Sequence, residues 1–477
     1  MKVKLILPSL IEAKNPFWRP IKYSLFPPLG LATLASYLAI NDEIILQDQH
    51  VEELNLNDNP DLVIIQVYIT NAKRAYSIAK HYRDKGTFVA LGGLHVTSLP
   101  TEAEQFADSI FLGPAEQTFP DFLDDFNKKR TKKRYVSTKS RTIENQPPIR
   151  RDLINRSGYL VPNSLVMSRG CPHHCDFCYK DAFFKGGKSF YTQRADEVLT
   201  EIDKLEGKHL YFLDDHLFGN PKLARELFEG MRGMGRVFQG AATVSSILDS
   251  DLIEKAYEAG LRSLFVGFET FSQENLKQNN KIQNLKQSYN LAVKRLNDLG
   301  IMINGSFVFG LDQDDKDVFK RTVEWGINNG LTTATYHILT PYPGTRLFKK
   351  MSDLGRILTH NWDLYDTRHV VYKSNILTSK ELEEGYWWAY NEFYKWKNIY
   401  KSSFAHSNLK HKVKHLLYTG GWKKFEPIWN LIINLGRLNN MLPLLEILLS
   451  EVKHDNNHID TTNAKEQTLT SKGNKLK

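Results

Sequence analysis

Cysteine is what the sequence has least of: three in 477 residues. An odd trio builds no disulfide framework and leaves at least one thiol unpaired, which excludes a cross-linked secreted scaffold. Long apolar runs are missing as well. No uncharged apolar run reaches the ~18 residues needed to cross a bilayer. Met1-Lys2-Val3-Lys4-Leu5-Ile6-Leu7 leads straight into a strand with no cleavage site, so no secretory leader is read. Internal repeats are absent. Nor does one charge dominate: 63 Lys and Arg face 54 Asp and Glu, leaving +9. Much of that surplus sits in residues 128–134 and in the C-terminal tail. Such runs are more often solvated faces than grips on nucleic acid, so no nucleic-acid partner is expected. The expected compartment is a reducing cytoplasm.

What is present is an alternation of β-rich runs and amphipathic segments. In residues 1–127, the stretches 2–7, 43–47, 62–67, 88–91 and 109–112 read as strands. Helical patterns at 29–38, 72–82, 101–106 and 117–126 lie between and after them. This spacing builds βαβ units and a parallel sheet, and five strands so ordered suit a flavodoxin-like (Rossmann-type), doubly wound domain. Residues 128–158 lack an apolar period and read as a basic linker, with Pro147-Pro148 breaking the chain. From 159 to 345 strands are expected at 164–168, 209–213, 239–244, 263–267, 304–309 and 334–338. Six βα units make a partial TIM barrel. Residues 346–452 read as a mostly helical region opening with an aromatic helix at 379–400, and 453–477 as a disordered tail. The fold class expected is α/β.

The three cysteines fall together in Ser168-Arg169-Gly170-Cys171-Pro172-His173-His174-Cys175-Asp176-Phe177-Cys178-Tyr179. The loop is expected directly after the first barrel strand, at the carboxyl end where such barrels place chemistry. Thiolates suit soft metals, and three in a compact loop can grip three corners of an iron–sulfur cube. With no fourth cysteine in the chain, one iron is left open or takes another ligand. A Cys3His zinc site using His173 or His174 is the alternative, although structural zinc usually draws cysteine pairs from two segments.

The CxxxCxxC spacing, with Phe177 before the last cysteine, resembles the radical S-adenosylmethionine (SAM) superfamily over most of residues 160–345. The resemblance implies a 4Fe-4S cluster on Cys171, Cys175 and Cys178 whose fourth iron is chelated by the methionine end of SAM. One electron then breaks a carbon–sulfur bond and releases a 5′-deoxyadenosyl radical. Further positions match the family at strand ends. Asp214, in Phe212-Leu213-Asp214-Asp215, is implied near the methionine amine, and Glu269, in Gly267-Phe268-Glu269-Thr270, near the ribose. Gly310, in Phe309-Gly310-Leu311-Asp312, is implied near adenine, with Ser245 a weaker candidate. For each acid the bland alternative is a helix cap or a solvated loop residue.

A flavodoxin-like domain ahead of such a barrel resembles the superfamily's cobalamin-binding branch, carried by Pro27-Pro28-Leu29-Gly30-Leu31, Gly92-Gly93-Leu94-His95 and Gly113-Pro114-Ala115-Glu116. Gly92, Gly93 and Gly113 would admit a flat ligand edge at the carboxyl ends of the strands, or would merely turn the chain. The Asp-x-His-x-x-Gly signature is missing after the first strand. Asp48-Gln49-His50 follows the second strand without its glycine, so His50 is not read as a cobalt ligand. The branch implies methylation of an unactivated carbon, or oxidative radical chemistry without methyl transfer. It also implies an electron donor such as flavodoxin or ferredoxin. No catalytic side chain is named; Tyr336, His337 and Arg368 are chemically capable but unplaced. The aromatic helix is read as core. Trp422-Lys423-Lys424-Phe425, residues 428–433 and residues 441–445 mix bulky apolar and basic residues, suiting peripheral contact with the inner face of a membrane or a lid over a lipid-like or tetrapyrrole substrate.

Overall fold

The structure, a computed structural model, describes residues 1–10, 25–138, 140–424 and 438–449. Its first sheet contains β1 (Lys2–Leu7), β2 (Glu43–Asp48), β3 (Leu62–Gln66), β4 (Phe88–Gly92), β5 (Ser109–Leu112) and β6 (Arg134–Val136). All run parallel in the order β2-β1-β3-β4-β5-β6. Between them come helices α1 (Leu29–Ala35), α2 (Ala72–Asp84), α3 (Leu94–Ser98), α4 (Pro100–Ala103) and α5 (Phe119–Asn127). Side chains alternate across a strand, so each face gathers its own apolar set. Val3, Leu5 and Ile64 meet α1 and α5 on one side. Ile6, Val63 and Ile65 meet α2 on the other. Even the fully buried Lys4 is spent internally, donating to Asp58 at 2.6 Å and to the Tyr82 hydroxyl at 2.9 Å.

β6 is a departure from the reading of residues 128–158 as a linker. Only Tyr135 of the strand turns inward, packing on Phe111 and Phe122, while its neighbours are exposed. A strand this short with one apolar residue leaves no period to detect. The basic run beside it is held by acids, Asp124 and Asp125 pairing with Lys128 and Arg130, and Glu104 with Arg134.

The second sheet contains β7 (Ser164–Leu165), β10 (His209–Phe212), β11 (Val237–Ala242), β12 (Leu261–Glu269), β13 (Met302–Phe309) and β14 (Thr333–Ile338), parallel and in sequential spatial order. A separate antiparallel hairpin, β8 (Ser168–Gly170) with β9 (Phe190–Thr192), follows β7. It brackets the cysteine loop and α6 (Lys180–Phe183), so the loop hangs from a hairpin and not from the first barrel strand itself. Helices α7 (Ala195–Lys204), α8 (Pro221–Met231), α9 (Val244–Leu248), α10 (Leu252–Glu258), α11 (Gln273–Gln278), α12 (Tyr289–Asp298) and α13 (Val318–Asn328) complete the crossovers. The convex face is packed solid by residues such as Phe212, Phe238, Leu264 and Phe307. Concave positions such as Tyr211, Gln239, Phe265, Asn304, Thr335 and His337 are only half-buried.

Beyond β14 come α14 (Arg346–Asp353), α15 (Ser379–Phe393), α16 (Trp396–Ser403), α17 (Leu409–Lys424) and α18 (Leu442–Leu449). The single aromatic helix expected at 379–400 is broken at Tyr394-Lys395, where Asn398 Nδ2 donates to the Glu392 carbonyl at 2.7 Å. Its core-facing reading holds for one stripe: Tyr386, Tyr390, Phe393 and Tyr394 pack on the strands, whereas Trp387, Trp388 and Trp396 are exposed. The last helices plug the amino-terminal end of the barrel. Thr419 Oγ1 donates to Thr332 O at 2.6 Å, and Glu446 accepts from Lys208 N and His209 N at 2.9 and 3.0 Å. Met441 and Leu445 pack on Leu160 and Val161, so this part of the expected membrane-facing run serves the core. Phe425 and residues 428–433 lie outside the described residues. Among the described residues no helix is long and apolar enough to cross a membrane.

Candidate functional site

The loop between β8 and β9 is fastened at many points. Cys178 N donates to Cys175 O at 3.0 Å, closing a turn that presents the last two thiols together. The segment after α11 holds its middle: Asp176 N donates to Asn279 O at 3.0 Å, and Asn280 Nδ2 to His174 O at 2.7 Å. Arg346, at the start of α14, reaches His174 O at 2.9 Å and pairs with Asp181. Arg141, from the stretch read as linker, is 4% exposed. Its guanidinium donates to the carbonyls of Ser137, Phe184, Lys185 and Lys188, tying down the loop's far end.

Cys175 is buried, and Cys171 and Cys178 are partly so. Burial pushes the thiol of Cys171 up to about 11 and that of Cys178 to about 12. Thiols so placed give up their protons to a site that brings positive charge, which is what an iron cluster supplies. Gln283 Nε2 sits 3.4 Å from Cys175 Sγ, a donor suited to an electron-rich sulfur. Among the described residues no three His, Cys, Asp or Glu side chains converge as a single ion requires. A cube places its three thiolates on three different irons. His173 lies stacked on His216 at 5.6 Å and is pushed down to about 4, by burial first and then by nearby Lys281 and Lys180.

The other expected positions gather at the same end of the barrel, each with a definite partner. Asp214, 3% exposed, accepts from Met167 N at 3.2 Å and from Ser168 Oγ, so it braces the base of the hairpin. Burial raises it to about 6. Asp215 is open to solvent yet walled in by protein, and its carboxyl, raised by that burial, accepts from Tyr179 at 2.7 Å.

Glu269 has φ +64°, a left-handed conformation uncommon outside glycine, at an irregularity in the β12–β13 pairing. Its Oε1 lies 2.6 Å from Lys281 Nζ. Burial works against the ammonium, but Glu269 and then Cys175 outweigh it and keep it charged. Ser245 lies in the first turn of α9, 3.0 Å from Thr243 Oγ1.

Gly310 has φ +93°, and a Cβ there would strike the Tyr372 hydroxyl and Leu382, so its form is set by the C-terminal region. The turn is braced by Asp314, which accepts from Gly310 N, Leu311 N and Asn275 Nδ2 at 2.9, 3.0 and 2.9 Å. Phe177 packs against the buried cluster that contains Leu311 and Tyr372, joining the loop to that turn. Tyr336 is buried on the convex side against Tyr390, away from the concave face. His337 lies on the concave face, its Nδ1 3.1 Å from Thr367 Oγ1.

Sequence reasoning missed Lys281, Gln283, Asn280, Arg346 and Arg141. Each stands in a polar or basic stretch with no spacing signal, and only its tertiary contact marks it.

The carboxyl end of the first sheet faces this site. Glu116, in the turn after β5, pairs with Arg169 at 2.8 Å, two residues before Cys171. Gln66 and Tyr68 form a shelf there, with 2.8 Å between amide and hydroxyl and Tyr68 41% exposed. At Gly93, φ +112° and a Cβ 2.7 Å from Val67 O show a turn pressed on the end of the neighbouring strand β3. Gly92 ends β4 and Gly113 lies beside Phe183 O of α6. His50 is engaged at both nitrogens, with Asp48 Oδ1 2.7 Å from Nδ1 and Leu10 N donating to Nε2 at 3.2 Å. It offers no axial ligand. An open shelf without a histidine fits a flat macrocycle held by its edges.

Residues 165–326 match the radical SAM superfamily. The chain carries a radical SAM domain over these residues. It is an enzyme of that type, and the family brings a 4Fe-4S cluster and SAM as cofactors. Among curated relatives, it is 28% identical to bacteriochlorophyllide d C-12(1)-methyltransferase of Chlorobaculum tepidum, across 78% of this chain and 84% of the relative. Two solved structures share its fold. The radical SAM methyltransferase TsrM of Kitasatospora setae, with cobalamin and a [4Fe-4S] cluster bound, superposes with a TM-score of 0.63 at 13% identity, covering 91% of this chain and 99% of that one. The cobalamin-dependent SAM radical enzyme OxsB, with aqua-cobalamin and SAM bound, gives 0.63 at 17% identity, covering 94% and 75%. These superpositions extend over both sheets of this radical SAM enzyme.

Proposed function

We propose that the enzyme is a cobalamin-dependent radical SAM methyltransferase acting on an unactivated carbon of a small apolar molecule, a tetrapyrrole or a lipid-like natural product. The observation that carries this reading is the facing of two carboxyl edges: the thiol loop of the second sheet and the shelf of the first meet across Glu116–Arg169. Cys171, Cys175 and Cys178 hold the cluster, with Gln283 beside one sulfur. Asp214, Ser245, Glu269, Gly310 and Phe177 surround SAM. Gly92, Gly93 and Gly113 would border the cobalamin. When bound, the cluster and SAM supply one-electron radical chemistry and the cobalamin supplies the methyl group. The chain's own residues fix the loop, hold charge at Lys281 and Glu269, and close the barrel bottom to water. Its half-buried concave face receives the substrate.

The proposed partners are a low-potential donor such as flavodoxin or ferredoxin and, from the cytoplasmic side, a membrane surface. An anaerobic cofactor inventory tests the cofactor set: iron, sulfide and cobalt are all expected. SAM carrying a deuterated methyl tests the reaction, with label expected in the product. Label found only in released methionine favours oxidative radical chemistry instead.

A further inference from the structure

We propose that the ridge made by α16 and α17 seats this enzyme on an anionic lipid surface. The inference gives the membrane partner proposed above a definite address and rests on that reading, not on the reaction catalysed. In α16 and the residue that follows it, Trp396, Tyr400 and Phe404 recur every fourth position and are 57, 58 and 56% exposed. In α17, Val413 and Leu417 are 46 and 56% exposed. The two stripes are contiguous. A Cβ on Gly420 would lie 3.3 Å from the Trp396 ring, the Tyr400 and Phe404 rings are 4.8 Å apart, and Lys412 Nζ stands 5.2 Å from the Phe404 ring. Grouped aromatics and aliphatics open to solvent on a folded surface mark an interaction site.

Charge decides the occupant. From Phe393 to Lys424 the sequence has no Asp or Glu, while Lys395, Lys397, Lys401, Lys410, Lys412 and Lys414 punctuate it. Glu392, just outside, lies 2.5 Å from Lys395 and 3.8 Å from Lys397, so the positive field centres on Lys401 and Lys412. Tryptophan and tyrosine rings settle at the level of lipid headgroups, and lysine stems reach past them to phosphates. The ridge lies at the barrel's amino-terminal end, where Ser402 Oγ donates to Leu331 O at 3.3 Å and Thr419 Oγ1 to Thr332 O at 2.6 Å. The cysteine loop is at the opposite end, so docking leaves the mouth of the site clear.

The test is flotation of the anaerobic full-length enzyme with vesicles containing phosphatidylglycerol, against vesicles of phosphatidylcholine alone. Flotation is expected only with the first, weakening as salt rises. Tyr400→Ser with Phe404→Ser should lower the bound fraction about tenfold, and Lys401→Gln or Lys412→Gln about fivefold each. Iron content and thermal unfolding of every variant should match the parent. A parent that does not float yet still methylates overturns the ridge and leaves the enzymatic reading standing. Flotation undiminished in the double serine variant overturns the ridge alone. So does sedimentation showing a dimer that this variant dissolves, since the ridge would then seat a second copy.

Discussion

The two parallel sheets differ in what lies against their faces. In the first, α1 and α5 fill one face and α2 the other, so its interior has no room for a guest. In the second, helices fill only the convex face, and Tyr211, Gln239, Asn304, Thr335 and His337 stay half-buried on the concave one. A sheet packed on both sides can bind only at its carboxyl edge, whereas a curved sheet packed on one side binds both at its edge and within. One chain thus provides a shelf and a chamber, joined at Glu116–Arg169.

The comparison can be broken or sharpened by substitution. The largest effect is expected in the thiol loop: Cys175→Ala should abolish iron retention and 5′-deoxyadenosine release, read by iron and sulfide assay and by chromatography. Glu269→Gln should leave the Lys281 ammonium buried beside a neutral amide, at a cost of about 3–5 kcal/mol by chemical unfolding. Next comes the contrast between the faces. Ile64→Ala, at a site 2% exposed in the filled sheet, should cost about 3 kcal/mol. Thr335→Val, on the concave face, should cost less than about 1 kcal/mol while changing KM for the substrate. Equal stability losses at the two would erase the distinction.

The last effect is a pH slope. Burial raises Asp314 to about 7, and the unfolded carboxyl titrates near 4. Between those values the folded chain binds the extra proton, so this group's stabilising contribution is complete below pH ~4 and is lost as pH rises toward 7. The slope is on the order of 1 kcal/mol per pH unit. Asp314→Asn should flatten it in unfolding measured across that window.

Much of this was legible in the sequence where apolar runs met a regular period. The six barrel strands and the first five strands of the other sheet are such runs, and the cysteine spacing is carried by the chain itself. What stayed hidden depends on partners far along the chain. Arg134-Tyr135-Val136 becomes a strand only because Phe111 and Phe122 wait for Tyr135. Ser168 to Gly170 pair with residues 190–192 across the whole loop, a match no local pattern announces. Asp214 is implied near the methionine amine, and no local spacing foretells that its oxygens also accept from Met167 N and Ser168 Oγ. Lys281 and Arg141 carry no spacing signal, and both prove to be buried because carboxylate or carbonyl oxygens converge on them.

The plug formed by Thr419 and Glu446 under the strands has a kinetic consequence. Among the described residues the floor is closed, so the chamber opens at its carboxyl end, beside the shelf. Whatever is bound last stands in front of whatever was bound first, so departures must reverse the order of arrival. A bulky substrate lodged at the threshold would therefore trap the nucleoside behind it until turnover is complete.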